Sequence, residues 1–376
     1  MSAARPRLAI RAEVAARAVA DRFARRAPPA EPRRILIAHH LLLGDTLMLT
    51  ALVAKLAERH PGADLAMTVP RASAPLYATR PYGLRAIAWD RRDPPRTLFE
   101  EPPFDLAFVP GDNGYAWLAA AMRARWIVAL AGDRPAYRNW PVDRLVPYPD
   151  APAAWSDIVA ALADGPPPAP YAPARWPAGP AAPFEAPAGR YAILHVGAST
   201  PLKHWAPDRW RAIAGRLAAR GLEPVWSAGR GEDALVRACD PAAERRSYAG
   251  DLDLPQMRAL LDRAALLVSP DTGIAHLARV AGTPSVTLYG PGSATITGPG
   301  RFYAAMPWRG VTVDPFPCRD QRVLFRREIA WVRRCGRSTA ECPHPRCMDA
   351  IDVDAVDAAI DDVLARPDPR EVRSEG

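Results

Sequence analysis

The chain has 376 residues, of which 49% are hydrophobic, 24% charged and 8% aromatic, a composition that excludes a disordered or fibrous chain. No apolar run reaches the roughly 18 residues of a membrane helix, and no apolar stretch with a cleavage site opens the chain, so a cytoplasmic protein of about two domains is expected. The net charge is +8, yet only Lys55 and Lys203 among the 49 basic residues are lysines, which reads as a compositional lean toward arginine and not as the mark of a nucleic-acid partner.

Residues 1–30 read as a basic N-terminal helix. Leu8, Ile10, Val14, Ala18 and Phe23 recur near helical spacing among seven arginines between Arg5 and Arg26. Such a helix either packs on the first domain or lies on an anionic membrane surface. Its apolar face is mostly alanine, which favours packing.

The first domain is expected over residues 31–164. Arg33–His40 reads as a buried parallel strand. The Leu41–Asp45 loop follows, then a helix over Thr46–Arg59 and a strand over Asp64–Val69, which is a βαβ unit. Ala86–Trp89 and Asp105–Val109 predict further strands, and Ala116–Arg123 and Ala153–Ala163 further helices. Residues 165–190 hold nine prolines without a hydrophobic period and read as an extended linker. The pattern then restarts over a second domain, 191–365. Strands are expected at Tyr191–Val196, Pro224–Ser227, Ala265–Val268 and Ser285–Tyr289, and helices at Pro207–Arg220, Leu254–Ala264 and Ile274–Ala281. Residues 366–376 form a tail. The fold class is α/β, with two Rossmann-like doubly wound domains facing across a cleft, and ligands are expected beyond the carboxyl ends of the strands.

Chemistry-bearing residues fall at those ends. Gly44 and Asp45 follow the first strand; the aspartate is either a helix cap or a general base, and the glycine permits a tight turn. Ser199, Thr200 and Lys203 follow the Tyr191–Val196 strand and could hold a phosphate, with the lysine as counter-charge. Because arginine is so strongly favoured in this chain, a retained lysine points to a need for a compact ammonium. Asp271, Thr272, Gly273 and His276 follow another strand, and their density exceeds what capping alone needs. Tyr289–Gly292 with Gly298–Pro299 forms a Gly/Pro loop that could wall the same site. The P-loop, G-x-G-x-x-G, G-x-S-x-G and H-E-x-x-H patterns are absent. Cys318, Cys335, Cys342 and Cys347 are spaced by 17, 7 and 5 residues. They read as reduced structural thiols or as ligands of a structural metal.

Three stretches then resemble a known family: Ile35–Thr50, His195–Trp210 and Leu266–Pro291, the last with a D-[ST]-G-x-x-H core. Cys342–Val353 also looks like that family's C-terminal end. The chain is similar, from about residue 33 to 365, to the glycosyltransferase family 9 heptosyltransferases, the ADP-heptose:lipopolysaccharide enzymes of Gram-negative bacteria. The resemblance implies a GT-B fold and inverting transfer of a heptose from ADP-heptose to a lipopolysaccharide-core or related glycan. It implies Asp45 as catalytic base and Lys203 as the cation that neutralises the diphosphate. It implies Ser199, Thr200, Asp271, Thr272, Gly273 and His276 as donor-binding residues, and Glu232 as an acid on the ribose. On the acceptor side His39 stands where the family has a basic residue, and Gly44 precedes the base. The apolar Leu41–Leu42 pair departs from the pattern and suggests a different acceptor surface. Catalysis would need no metal ion. The partners implied are a nucleotide-sugar donor and a glycan or glycolipid acceptor, with peripheral contact at the inner face of the inner membrane and no nucleic acid. Two other readings are a transferase of the same fold acting on a protein or another glycan, and a non-catalytic nucleotide-sugar-binding protein.

Overall fold

The computed structural model describes residues 4–20 and 27–370. The chain forms two compact units, Met1–Ala169 with Arg322–Val332, and Pro170–Gln321 with Arg333–Gly376.

The first unit is built on six parallel strands: β1 (Arg34–Ile37), β2 (Asp64–Val69), β3 (Arg85–Ala88), β4 (Leu106–Val109), β5 (Trp126–Leu130) and β6 (Arg144–Val146). Their order is β3-β2-β1-β4-β5-β6. Strands covered on both faces must be apolar throughout, and Ile35, Leu36 and Ile37 are all buried. The amino ends are tied by charge. Arg33 N and Arg34 N donate to Asp105 Oδ2 at 2.9 and 3.1 Å, and Arg85 pairs with Glu101 at 2.7 Å. The crossovers reverse direction between β1 and β4, so the carboxyl ends of those two strands flank a crevice.

Two expectations change here. The Thr46–Arg59 helix is two helices, Leu43–Met48 and Thr50–Arg59, with Leu49 between them. Helical backbone therefore begins three residues earlier and takes in Gly44 and Asp45. Gly44 supplies no left-handed turn, and Asp45 lies in the first turn behind a Leu42 N-cap. The N-terminal helix spans Ala4–Ala20 and not 1–30, with irregular backbone at 27–33. It packs on the helix Tyr115–Ala121. Ala18 is buried, Arg17 Nε donates to Ala121 O at 3.0 Å, and the Arg17 guanidinium stacks 4.6 Å from the Phe99 ring centroid. Phe23 and the Leu8 side chain lie outside the described residues.

The second unit carries β7 (Tyr191–His195), β8 (Glu223–Ser227), β9 (Leu266–Pro270), β10 (Ser285–Tyr289) and β11 (Trp308–Thr312), all parallel, in the order β11-β10-β9-β7-β8. Here the reversal falls between β7 and β9. A helix over Val353–Leu364, capped by Asp352 accepting from Ala355 N at 2.7 Å, closes the core with Val356, Ile360 and Val363. A two-stranded hairpin, β12 (Val323–Leu324) and β13 (Arg327–Glu328), belongs to the first unit although its flanking sequence belongs to the second.

The proline-rich segment changes unit at Ala169–Pro170, inside the expected linker. Beyond that point it is a strap clamped to the second unit and not a spacer. Tyr171 and Trp176 are buried. Tyr171 Oη donates to Val280 O at 2.6 Å, and Arg258 Nη2 donates to Trp176 O at 2.8 Å. Among the described residues no helix is long and apolar enough to cross a membrane. Trp176→Ala should destabilise the protein by about 3–5 kcal/mol in urea titration, as for other buried tryptophans; a loss near zero would mean that the strap is not anchored there.

Candidate functional site

The loops that leave β7 and β9 meet at the second unit's switch point. After β7 the chain runs through Ser199 and Thr200 into a single turn, Pro201–Lys203, and Thr200 caps it by accepting from Leu202 N at 3.3 Å. This turn places Lys203 Nζ against the loop after β9. The ammonium donates to Asp271 O at 2.5 Å and to Asp271 Oδ2 at 3.3 Å. The Asp271 carboxylate also accepts from Thr297 Oγ1 at 3.1 Å. Gly292 lies so close that a Cβ there would stand 2.6 Å from Asp271 Oδ2. Only glycine leaves this carboxylate its place.

Thr272 is the N-cap of the helix Gly273–Ala281, but its side chain makes no capping bond. Its Oγ1 is buried and, among the described residues, has no hydrogen-bond partner. A hydroxyl in that state ordinarily has a partner to gain. With the first N–H groups of a nine-residue helix beside it, the arrangement suits an anionic oxygen. His276, one turn on, is buried 3.9 Å from Asp271 Oδ1, and burial first and Arg279 second push its pKa down to about 3. It is a neutral ring at pH 7.

Glu232 does something else. Its Oε1 accepts from Ala198 N at 3.1 Å and its Oε2 from Gly229 N at 2.6 Å. It therefore staples the loops after β7 and β8, and a Cβ on Gly197 would fall 2.1 Å from its Oε2. Both carboxylate oxygens hold protein backbone, so an additional ribose contact would have to share them. Ser199 is exposed at the lip of the site.

Three residues were not foreseen. Arg279 is buried and donates to Thr297 O at 3.1 Å and Gly298 O at 3.2 Å, which pins the loop whose Thr297 bonds Asp271. Arg319 holds Tyr289 O and Gly290 O, both at 2.8 Å. An abundance of arginine hid both, since neither differs in sequence from its surface counterparts. Thr297 gave no signal at all.

In the first unit Asp45 sits in the loop-helix after β1, partly buried. His39 does not supply the basic group expected of it. The residue is fully buried; its backbone exchanges hydrogen bonds with Thr68 Oγ1 at 2.9 and 2.7 Å, and its Nδ1 accepts from Leu41 N at 3.1 Å. Burial, with His40 next to it, pushes its pKa down to about 3, so its role is to shape the loop that leads to Asp45.

Cys318, Cys335, Cys342 and Cys347 line one cavity of about 320 Å³ together with Arg337 and His344. Burial raises the Cys318 and Cys347 thiols, and Cys335 raises each further. The four are brought together, but among the described residues no group of three or more His, Cys, Asp or Glu side chains is arranged to hold a metal ion. As they stand, the thiols do not fit a metal.

The family model of glycosyltransferase family 9 (heptosyltransferase) matches residues 116–308, just over half of the chain. Lipopolysaccharide heptosyltransferase 1 of Escherichia coli is 33% identical over 109 residues, which is 28% of this chain and 33% of that protein. The chain thus spans about a third of the length of the first curated relatives it matches. Among solved structures, E. coli ADP-heptose lipopolysaccharide heptosyltransferase II superposes with a TM-score of 0.65 at 20% identity, covering 88% of this chain and 98% of that one. The iron-containing dodecameric glycosyltransferase TibC from enterotoxigenic E. coli superposes at 0.55 and 16% identity, covering 89% and 76%. These likenesses show the fold, two parallel-sheet α/β domains of the GT-B type.

His39 and His276, at about 3, and His195, at about 4, are all held neutral by burial, against 6.5 when exposed. The unfolded chain takes up these protons first. Their stabilisation is therefore complete above pH 6.5 and is lost as pH falls toward 3, by about 2 kcal/mol per histidine between pH 6.5 and 5. Melting temperature should fall over that range, and His39→Asn should flatten the slope; a variant as acid-sensitive as the parent would mean that His39 titrates normally.

Proposed function

The chain belongs to glycosyltransferase family 9, and from that premise we propose that it is an inverting transferase that moves a heptose from ADP-heptose to a lipopolysaccharide-core glycan. The observation that carries this reading is Lys203 held on Asp271 beside the unsatisfied Thr272 hydroxyl, at the switch point of the second unit. An ammonium has three N–H donors. Two are directed at Asp271, and the third is the one we assign to the donor's diphosphate. Thr272 Oγ1 and the Gly273–Ala281 helix start supply further donors. Ser199 and Thr200 contribute from the neighbouring loop. His276 is a neutral wall of the site and not a cation in it.

Asp45 is the base. Its carboxylate takes the proton of the acceptor hydroxyl, and the oxygen forms a bond to the anomeric carbon as the bond to the diphosphate oxygen breaks. The electron pair leaves with ADP, where Lys203 and the helix N–H groups stabilise the developing charge. The displacement inverts the anomeric centre. A glycolipid acceptor would bring the protein to the cytoplasmic face of the inner membrane, and the net charge of +8 suits an anionic surface.

A second reading, transfer to a protein or another glycan by the same fold, differs from the first in the acceptor alone. The four cysteines share a cavity, and the similar TibC is described as iron-containing. The thiols would have to rearrange to ligate iron. Elemental analysis of the purified protein decides whether the cysteine cavity holds iron, and transfer assays on lipopolysaccharide and on protein acceptors separate the two readings.

Calorimetry against ADP, UDP and GDP is the primary test. ADP should bind selectively, and Lys203→Ala should weaken it by about tenfold or more, the worth of a hydrogen bond to a charged group; a preference for UDP or GDP would replace the donor. Asp45→Asn should lower transfer by about 10²–10⁴-fold while ADP affinity is unchanged. Loss of ADP binding in that variant would refute the assignment of Asp45 as base.

A further inference from the structure

The β12–β13 hairpin stands at the carboxyl edge of the first unit's sheet. Arg327, at the start of β13, is buried there. Its Nε donates to Ala131 O at 2.7 Å, its Nη1 to Gly111 O, and its Nη2 to Asn113 Oδ1 at 2.7 Å and Leu130 O at 3.0 Å. These acceptors lie at or just after the ends of β4 and β5. A single guanidinium thus fixes the hairpin beside the switch point between β1 and β4. Leu324, Ile329 and Val332 are buried around it, and the Phe325 ring packs 4.4 Å from Trp155.

The tip reaches the loop that leads to Asp45. Gly111, at φ +82°, is crowded from two sides. A Cβ there would lie 3.1 Å from Leu41 Cδ2 and 3.4 Å from Phe325 Cδ1. Leu41 belongs to the same loop, four residues before Asp45. Leu41, the segment 111–113 and the hairpin tip 325–327 therefore converge at one point of the first unit.

The two tip residues have positive φ, 44° at Phe325 and 67° at Arg326. A two-residue turn of this kind favours Asn or Gly, and longer side chains there are strained. Phe325 is repaid by its contact with Trp155. Arg326 is exposed, and among the described residues no ion pair to it is formed. Arg80 is likewise exposed at positive φ; what sets Arg326 apart is its place at the hairpin tip, beside the contact of Gly111 with Leu41.

We propose that the Val323–Glu328 hairpin is a wall of the acceptor site and that Arg326 binds an anionic group, a phosphate or a carboxylate, on the acceptor glycan. The inference rests on the transferase reading above for what the acceptor is. The hairpin acts in substrate binding and not in the chemical step.

The test uses the full chain, with Arg326→Gly and Arg326→Lys. Glycine removes the side chain and relaxes the turn, so its melting temperature should not fall. The probe is detergent-dispersed lipopolysaccharide from a heptose-deficient bacterium, intact or stripped of phosphate with aqueous hydrogen fluoride. Binding is read by calorimetry, and transfer with ADP-heptose. Arg326→Gly should weaken lipopolysaccharide binding and raise its KM by about tenfold or more, with ADP affinity and kcat little changed, and the lysine variant should recover part of the loss. If dephosphorylation erases the difference between parent and Arg326→Gly, the group is a phosphate; if the difference persists, it is a carboxylate. Transfer with an unaltered KM in Arg326→Gly overturns the hairpin assignment and leaves the transferase reading in place. Arg326-dependent binding without transfer by the parent supports the hairpin and overturns the transferase reading. Failure of the parent to bind either form overturns the hairpin assignment.

Discussion

Two adjacent parallel strands whose crossovers run in opposite directions send their following loops apart, and a crevice opens that neither helix can fill. Each unit of this protein has one such reversal, at β1/β4 and at β7/β9. The rest of the functional architecture follows from that. Strand ends that lie elsewhere can be sealed by short turns, but at a reversal the chain must supply side chains to occupy the gap. In the second unit these are Lys203 and Asp271, and in the first it is the helix that carries Asp45, with the guanidinium of Arg327 next to it at the ends of β4 and β5.

The charges at the two ends of the sheets do different work. At the amino ends of the first sheet, Arg34, Arg85, Asp64 and Glu101 form a partly solvated network, which holds strands in register and contributes little net energy. At the carboxyl end of the second sheet, the Lys203–Asp271 pair is mostly withdrawn from water, with side chains 22% and 11% exposed. Desolvation offsets much of the attraction in such a pair, so stability is a poor explanation for it. Positioning explains it better. The aspartate fixes the ammonium, Thr297 fixes the aspartate, and Arg279 fixes the loop that bears Thr297. A Cβ at Gly292 or Gly197 would displace the carboxylate of Asp271 or Glu232 respectively.

Much of this was legible in the sequence where apolar runs were short, uninterrupted and bounded by turn residues. β1, β2, β4, β7, β9 and β10 and the helix at 254–263 fall within a residue or two of their expected places, except that β1 is shorter than the run Arg33–His40. β11 was missed because Arg309 and Gly310 break its apolar pattern, as suits an edge strand. β5 and β6 and the Val353–Leu364 helix were also passed over, although the helix shows clear periodicity in Val356, Ile360 and Val363. Lys203 and Asp271 could be picked out because lysine is rare here and because a strand precedes each loop. His39 misled, because the sequence shows a titratable ring but not its burial. The hairpin was invisible: the residues that receive Arg327 lie some two hundred positions upstream, and local pattern carries no trace of a partner so distant.

That distance bears on how the protein is made. Chains emerge from the ribosome amino end first, at about 5–20 residues per second, and domains commonly fold as they emerge. The first unit here is assembled from Met1–Ala169 and Arg322–Val332. Its last piece therefore arrives roughly 160 residues after the rest, on the order of ten to thirty seconds later at those rates. During that interval the carbonyls of Gly111 and Ala131 are without the guanidinium that later holds them. The unit that begins the chain thus waits on a segment made after most of the other unit, and a fragment ending near residue 169 would hold that incomplete state permanently.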